Sequence, residues 1–136
     1  MSFDLKALCS ECRVTETIVF IEKCSELFTI LKSAAEKTNL TRILDENDYL
    51  IKHVADSLMI GKFFPEIASE DFSIADIGCG AGFPSLILAI AYPRLKITAL
   101  DSTGKKIAFV KQTAMELGLV NLEALQGRAC ELNRKK

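Results

Sequence analysis

Long apolar runs, net charge and histidine are all in short supply in this 136-residue chain, and each shortage excludes a class of function. The apolar run Leu86–Tyr92 falls far short of the ~20 residues that a helix needs to cross a bilayer, so no membrane span is expected. Asp4, Lys6, Glu11 and Arg13 interrupt the N-terminus, which does not read as a signal peptide. Seventeen basic against 18 acidic residues leave a formal net charge of −1, so the molecule as a whole has no nucleic-acid signature. The histidine is His53, and Cys9 and Cys12 have C-x-x-C spacing. Cys24, Cys79 and Cys130 offer no second pair of ligands, so no metal is expected. Five irregularly spaced cysteines without an export signal point to reduced thiols in a cytoplasm.

What is present is enough apolar material, 49% of residues, for the core of one domain. In residues 16–37, Phe20, Cys24, Leu27, Phe28, Leu31 and Ala35 recur at spacings of three and four, which predicts a helix with one apolar stripe. A turn at Asn39-Leu40-Thr41 follows. Asp45 can then cap a second helix that buries Leu50, Ile51, Val54, Ala55, Leu58 and Met59. His53, Asp56 and Ser57 share another, polar face, which reads either as the wall of a ligand cleft or as an ordinary solvated face.

After Gly61 and Pro65 the pattern changes. Strands are predicted at Ser73–Ile77, Lys96–Leu100 and Leu122–Gln126, with helices at Pro84–Tyr92 and Gly104–Leu117, the second stopped by Gly118. Alternating strands and helices imply a parallel sheet in which the first strand pairs with the second and the second with the third. Ligands bind beyond the C-terminal ends of such strands. There lies the most informative segment, Ala75-Asp76-Ile77-Gly78-Cys79-Gly80-Ala81-Gly82-Phe83-Pro84, followed by Leu100-Asp101-Ser102. Asp101 falls close to the ~20-residue interval after which such a crossover returns to a cofactor's ribose. A dinucleotide fold would place its third glycine where Phe83 stands. Glycines at 78, 80 and 82 instead suit a small ligand with a ribose and no phosphate, S-adenosylmethionine. A nicotinamide or flavin cofactor, and a turn serving only strand-to-helix packing, are the alternatives. Lys105, Lys106 and Lys111, with Arg128, Arg134, Lys135 and Lys136, form either a phosphate-contacting rim or a solvated face and tail.

Asn39-Leu40-Thr41, His53 with Asp56-Ser57-Leu58, the segment Asp76–Pro84, Leu100-Asp101-Ser102 with Gly104-Lys105-Lys106, and Gly127-Arg128-Ala129 occur here in one order. That order resembles the bacterial 16S rRNA guanine-N7 methyltransferases, the RsmG or glucose-inhibited division protein B family, from about residue 36 to residue 131. The resemblance implies an α/β fold: a helical region, 1–65, followed by the N-terminal half of a Rossmann-like class I methyltransferase sheet, 66–136. It also implies S-adenosylmethionine as donor, and 16S ribosomal RNA or the small subunit as partner. Cofactor contacts would fall to Gly78, Gly80, Gly82, Phe83, Asp101 and Ser102, with Ala129 and Cys130 beside the adenine. Asn39, Arg42, His53, Asp56 and Ser57 would meet the cleft, and Lys105, Lys106 and Arg128 would contact RNA.

Three departures from the family pattern stand out. Ser85 replaces a frequent glycine and is expected to matter little. Cys130 replaces a frequent glutamate. The sheet is expected to stop at three strands where the class I fold has seven, which leaves one edge of the first strand to be covered by a second copy of the chain or by the N-terminal helices. Guanine N7 has a lone pair and no proton to lose, so no catalytic base is expected and alignment alone can supply ~7–11 kcal/mol. The contrasting reading is a non-catalytic binding or scaffold module derived from such an enzyme. A nicotinamide-dependent reductase lacks both its third glycine and a catalytic pair.

Overall fold

The computed structural model describes residues 4–37 and 45–128. The chain opens with α1 (Leu5–Glu11), which sequence periodicity did not suggest and which Asp4 starts by accepting a hydrogen bond from the Ala7 N–H at 3.1 Å. Next come α2 (Thr17–Lys37), α3 (Glu46–Tyr49), a π-helical segment (Leu50–Ala55), α4 (Asp56–Phe63) and α5 (Glu66–Ser69). The α/β part is β1 (Ser73–Ile77), α6 (Ser85–Ala91), β2 (Lys96–Asp101), α7 (Gly104–Glu116) and β3 (Leu122–Gln126). The strands form a parallel sheet in the order β1-β2-β3, as the alternating pattern predicts.

Asp45 caps α3 as expected, its side chain accepting from the Asp48 N–H at 2.8 Å. The helix it starts is not uniform, because the π-helical turn carries more residues per turn and advances the register by a fraction of a turn. Ile51, predicted to be buried, is consequently 46% exposed, while Val54 and Leu58 reach the core. The turn predicted at Asn39-Leu40-Thr41 lies outside the described residues.

α6 is the centre of the molecule. Every residue from Ser85 to Ala91 is buried, because one side of the helix lies on β2 and β3 and the other receives α2 and α4. A helix enclosed on all sides must be apolar all round, which accounts for the run Leu86–Tyr92. Its C-terminal end and the turn beyond it are met by a single side chain: Asn121 Nδ2 lies 3.2 Å from the Ala89 oxygen, 3.1 Å from that of the capping Tyr92 and 2.9 Å from that of Leu95 in the turn.

Three hydrogen bonds help fasten the helical layers together. The Tyr92 hydroxyl donates to the Cys12 carbonyl at 2.7 Å, the Tyr49 hydroxyl to the Cys24 carbonyl at 2.8 Å, and Lys23 Nζ to the Leu117 carbonyl at 2.6 Å. The helices thus take α6 as their principal neighbour in the α/β part, whereas β1 takes β2. Among the described residues β1 has no strand on its other edge, and Ile77 is 51% exposed.

α4 passes so near α6 that a Cβ on Gly61 would stand 1.8 Å from Tyr92 Oη and 2.6 Å from its Cζ. Gly61→Ala should therefore destabilise the fold by about 1–3 kcal/mol through overpacking. Tyr92→Phe alone should cost about 1 kcal/mol by leaving the Cys12 carbonyl unmet. Because the closest clashing atom is the hydroxyl itself, the double variant should be less destabilised than the sum, as read from denaturant midpoints. Strict additivity would show that the contact is not the one described.

Candidate functional site

The glycine loop begins as a continuation of the β1–β2 ladder. The N–H groups of Gly78 and Cys79 both donate to the Leu100 carbonyl, at 2.7 and 3.0 Å. The loop then turns through three glycines with positive φ, 74° at Gly78, 56° at Gly80 and 101° at Gly82, before the Leu86 N–H closes on the Gly82 carbonyl at 2.7 Å. Space separates these glycines into two kinds. Cβ atoms on Gly78 and Gly80 would meet nothing within 4 Å, so a ligand can lie directly against the backbone there. A Cβ on Gly82 would instead stand 2.4 Å from Leu86 Cδ1, so the third glycine serves the packing of loop on helix.

Asp101, at the end of β2, ties the loop to the next helix. Its Oδ2 accepts from the Gly80 N–H at 3.0 Å and its Oδ1 from the Thr103 N–H at 2.9 Å. The Thr103 and Gly80 donations hold its carboxyl below the usual carboxylate range. An ionised carboxylate offers about four acceptor positions, so capacity for ribose hydroxyls remains. Gly127 N–H reaches the Asp101 carbonyl at 3.0 Å, bringing the end of β3 to the same place. Ser102, Lys105 and Arg128 are exposed at this end of the sheet, and Lys106 is half-buried with its charge acting on Asp101 and Cys79. Asn39, Arg42, Ala129 and Cys130 lie outside the described residues.

Cys79 is buried, and burial followed by the charges of Asp76 and Asp101 pushes its thiol up to about 11, so it is neutral at physiological pH and no nucleophile. Burial likewise pushes Cys9 up to about 11 and Cys24 and Cys12 upward. Among the described residues no group of three or more potential ligands is placed to hold a metal.

Phe83 joins the loop to the N-terminal helices. Its ring stacks on His53, with centroids 4.4 Å apart and planes at 27°, and meets Tyr49 edge-on at 6.5 Å, while Tyr49 also touches Phe28 at 5.1 Å. The Phe83–Pro84 peptide is cis. His53, Asp56 and Ser57 do not share one face: Ser57 is buried, Asp56 is exposed and His53 lies between, again because of the π-helical turn. Asp56 still acts on the His53 ring, and the trio is neither uniformly buried nor uniformly exposed.

Two residues escaped the sequence reading. Asp76, half-buried under the loop, accepts from the Ser85 hydroxyl, and the Ser85 N–H donates to the same oxygen, Oδ2, at 3.3 Å. Ser85, expected to matter little, is fully buried and makes the contact that holds this acid. The available signal was a strand-end acid followed nine residues later by a hydroxyl at a helix start. A groove of about 550 Å³ along α7 and β3, lined by Ala114, Met115, Leu119, Val120 and Leu125, lies away from the loop and holds none of these groups.

Burial against Phe83 and Tyr49 depresses the His53 imidazole below its ordinary value, with Asp56 opposing and Lys52 assisting. The ring is therefore neutral in the folded state at neutral pH. The stability it contributes is full above the ordinary imidazole range and is lost as pH falls through the folded midpoint. An NMR titration of the ring should give a midpoint below that of free imidazole, and Phe83→Ala should move it upward. An unmoved midpoint would show that the stack does not shield the ring.

The family described as "GidB: rRNA small subunit methyltransferase G" matches residues 20–136. The ribosomal RNA small subunit methyltransferase G of Limosilactobacillus reuteri is 40% identical over 109 residues, 80% of this chain and 45% of its own length. Proteins of the same name from Leuconostoc citreum and Mycoplasma capricolum subsp. capricolum are 37% and 42% identical, over 89% and 84% of this chain and 51% and 48% of their own. The chain therefore spans about half the length of these relatives. A solved coclaurine N-methyltransferase, bound to N-methylheliamine and SAH, aligns with 54% of this chain and 22% of its own at 23% identity. Its TM-score is 0.45. A match across residues 20–136, with 40% identity over four fifths of the sequence, makes this chain a member of the rRNA small subunit methyltransferase G family.

Proposed function

We propose that the C-terminal ends of β1, β2 and β3 bind S-adenosylmethionine, and that the chain supplies the cofactor-binding part of an enzyme that methylates guanine N7 in 16S ribosomal RNA. The observation that supports this most is the open space above Gly78 and Gly80, bounded by a carboxylate that already organises the loop. When bound, the cofactor would supply an electrophilic methyl group. In this reading Gly78 and Gly80 let it lie on the backbone, Asp101 accepts from the ribose hydroxyls, and Phe83 and Ser102 border it.

The neutral His53 ring closes the helical side of the cleft rather than moving a proton, since N7 needs no base. Lys105, Lys106 and Arg128 would meet RNA phosphates on the rim, and their contribution should fall with salt. Residues 1–65 would then serve as the substrate-side helical part and 66–136 as the cofactor part of a cytoplasmic, RNA-modifying protein. The open edge of β1 would be covered by a second copy, the two edge strands pairing antiparallel about a two-fold axis. A monomer by light scattering, with rapid hydrogen exchange along β1, would overturn that last point.

Calorimetric titration with S-adenosylhomocysteine tests the central reading. Saturable binding at about one site per chain is expected, and Asp101→Ala should abolish it while leaving a cooperative unfolding transition. Absence of binding by the folded wild-type chain would favour a scaffold module in which the glycine loop only packs.

A further inference from the structure

Asp76, one residue before the end of β1, and Asp101, at the end of β2, both act electrostatically on the Cys79 thiol in the loop, but they are held by different means. Asp101 is steadied by two backbone N–H groups. Asp76 lies deeper, and its Oδ2 receives both the hydroxyl and the N–H of Ser85. Among the described residues no donor reaches its other oxygen, Oδ1. Burial pushes Asp76 upward, the two Ser85 bonds oppose this, and the negative charge of Asp101 adds to the upward push. The groups around it are Asp101 on β2, Ser85 on α6 and the neutral thiol of Cys79 in the loop. Lys106 on α7 acts on Asp101 and Cys79. Among the described residues no cation enters the balance at Asp76 itself.

We propose that Ser85 is a positioning residue that fixes the Asp76 carboxyl group beside Asp101, so that the cofactor cleft carries two acids and prefers a cationic sulfonium donor to its neutral thioether product. The proposal rests on the cofactor reading above. S-adenosylmethionine and S-adenosylhomocysteine share the adenosine and the amino-acid tail and differ by the methyl group and one positive charge at sulfur. A second carboxylate in a cleft of reduced dielectric therefore acts on the difference between them. Ser85 is fully buried, so water cannot cheaply replace its hydroxyl. Alanine or glycine at position 85 would keep the N–H donation and lose the hydroxyl alone.

The test measures binding of S-adenosylmethionine and of S-adenosylhomocysteine, without RNA, to the wild type, Ser85→Ala and Ser85→Gly between pH 5 and 8. In the wild type the ratio of the two affinities should favour the sulfonium and decline at low pH as Asp76 takes up a proton. In both variants the decline should move to higher pH, toward a low ratio about fivefold below the ionised one, the effect of one partly screened charge at short range. Asp76→Asn should give the low ratio at every pH. A second readout needs no cofactor: the Asp76 carboxyl carbon, followed by NMR, should titrate at higher pH in both Ser85 variants. If both ligands bind but the ratio and the carboxyl midpoint are unchanged in the variants, the role of Ser85 is overturned and the cofactor site stands. If neither ligand binds the folded wild type, the cofactor reading fails and the proposal with it.

Discussion

The complete burial of α6 is the constraint from which the rest of this structure follows. A helix with a sheet on one side and α2 and α4 on the other has no face left for water, so its sequence must be apolar throughout. Its polar ends must then be met by specific partners. At the C-terminal end Asn121 serves the carbonyls, and at the N-terminal end Ser85 is drawn down onto Asp76. The closeness of α4 to α6 also fixes Gly61 against Tyr92. The helical region is therefore joined to the α/β part through the same helix that follows the glycine loop.

That arrangement places electrostatic cost at the site rather than in the scaffold. Asp76 is raised by burial, so folding is favoured by its protonated form, and that contribution is lost as pH rises through the folded midpoint. Asp101 behaves oppositely, since backbone donors lower it and its contribution is lost as pH falls. Two acids with opposite displacements thus flank the glycine loop near the ends of adjacent strands. Structural ion pairs would have neutralised them, and the ion pair between Arg94 and Asp71 lies instead on the exposed surface.

The π-helical turn links the helical part to the loop. Within it His53 meets Phe83 and Ile51 stays exposed, against the regular periodicity. The neutral, stacked His53 ring and the exposed Ile51 both belong to this π-helical segment.

Much of the fold was legible in the sequence, since strands and buried helices leave periodic patterns: Ser73–Ile77 and Leu122–Gln126 stand where alternation and turn residues put them. The glycine loop and Asp101 were legible too, because backbone conformations with positive φ and a fixed crossover length constrain residue type and spacing. Tertiary structure alone decided which glycines face open space, that His53 stacks on Phe83 while still feeling Asp56, and that Ser85 holds Asp76. Each of these depends on what a residue meets across the fold: an emptiness above Gly78 and Gly80, a ring from another element, a carboxylate nine residues away. Spacing along a chain encodes the conformations of its own backbone, whereas contacts and charges between elements exist only once burial has brought them together.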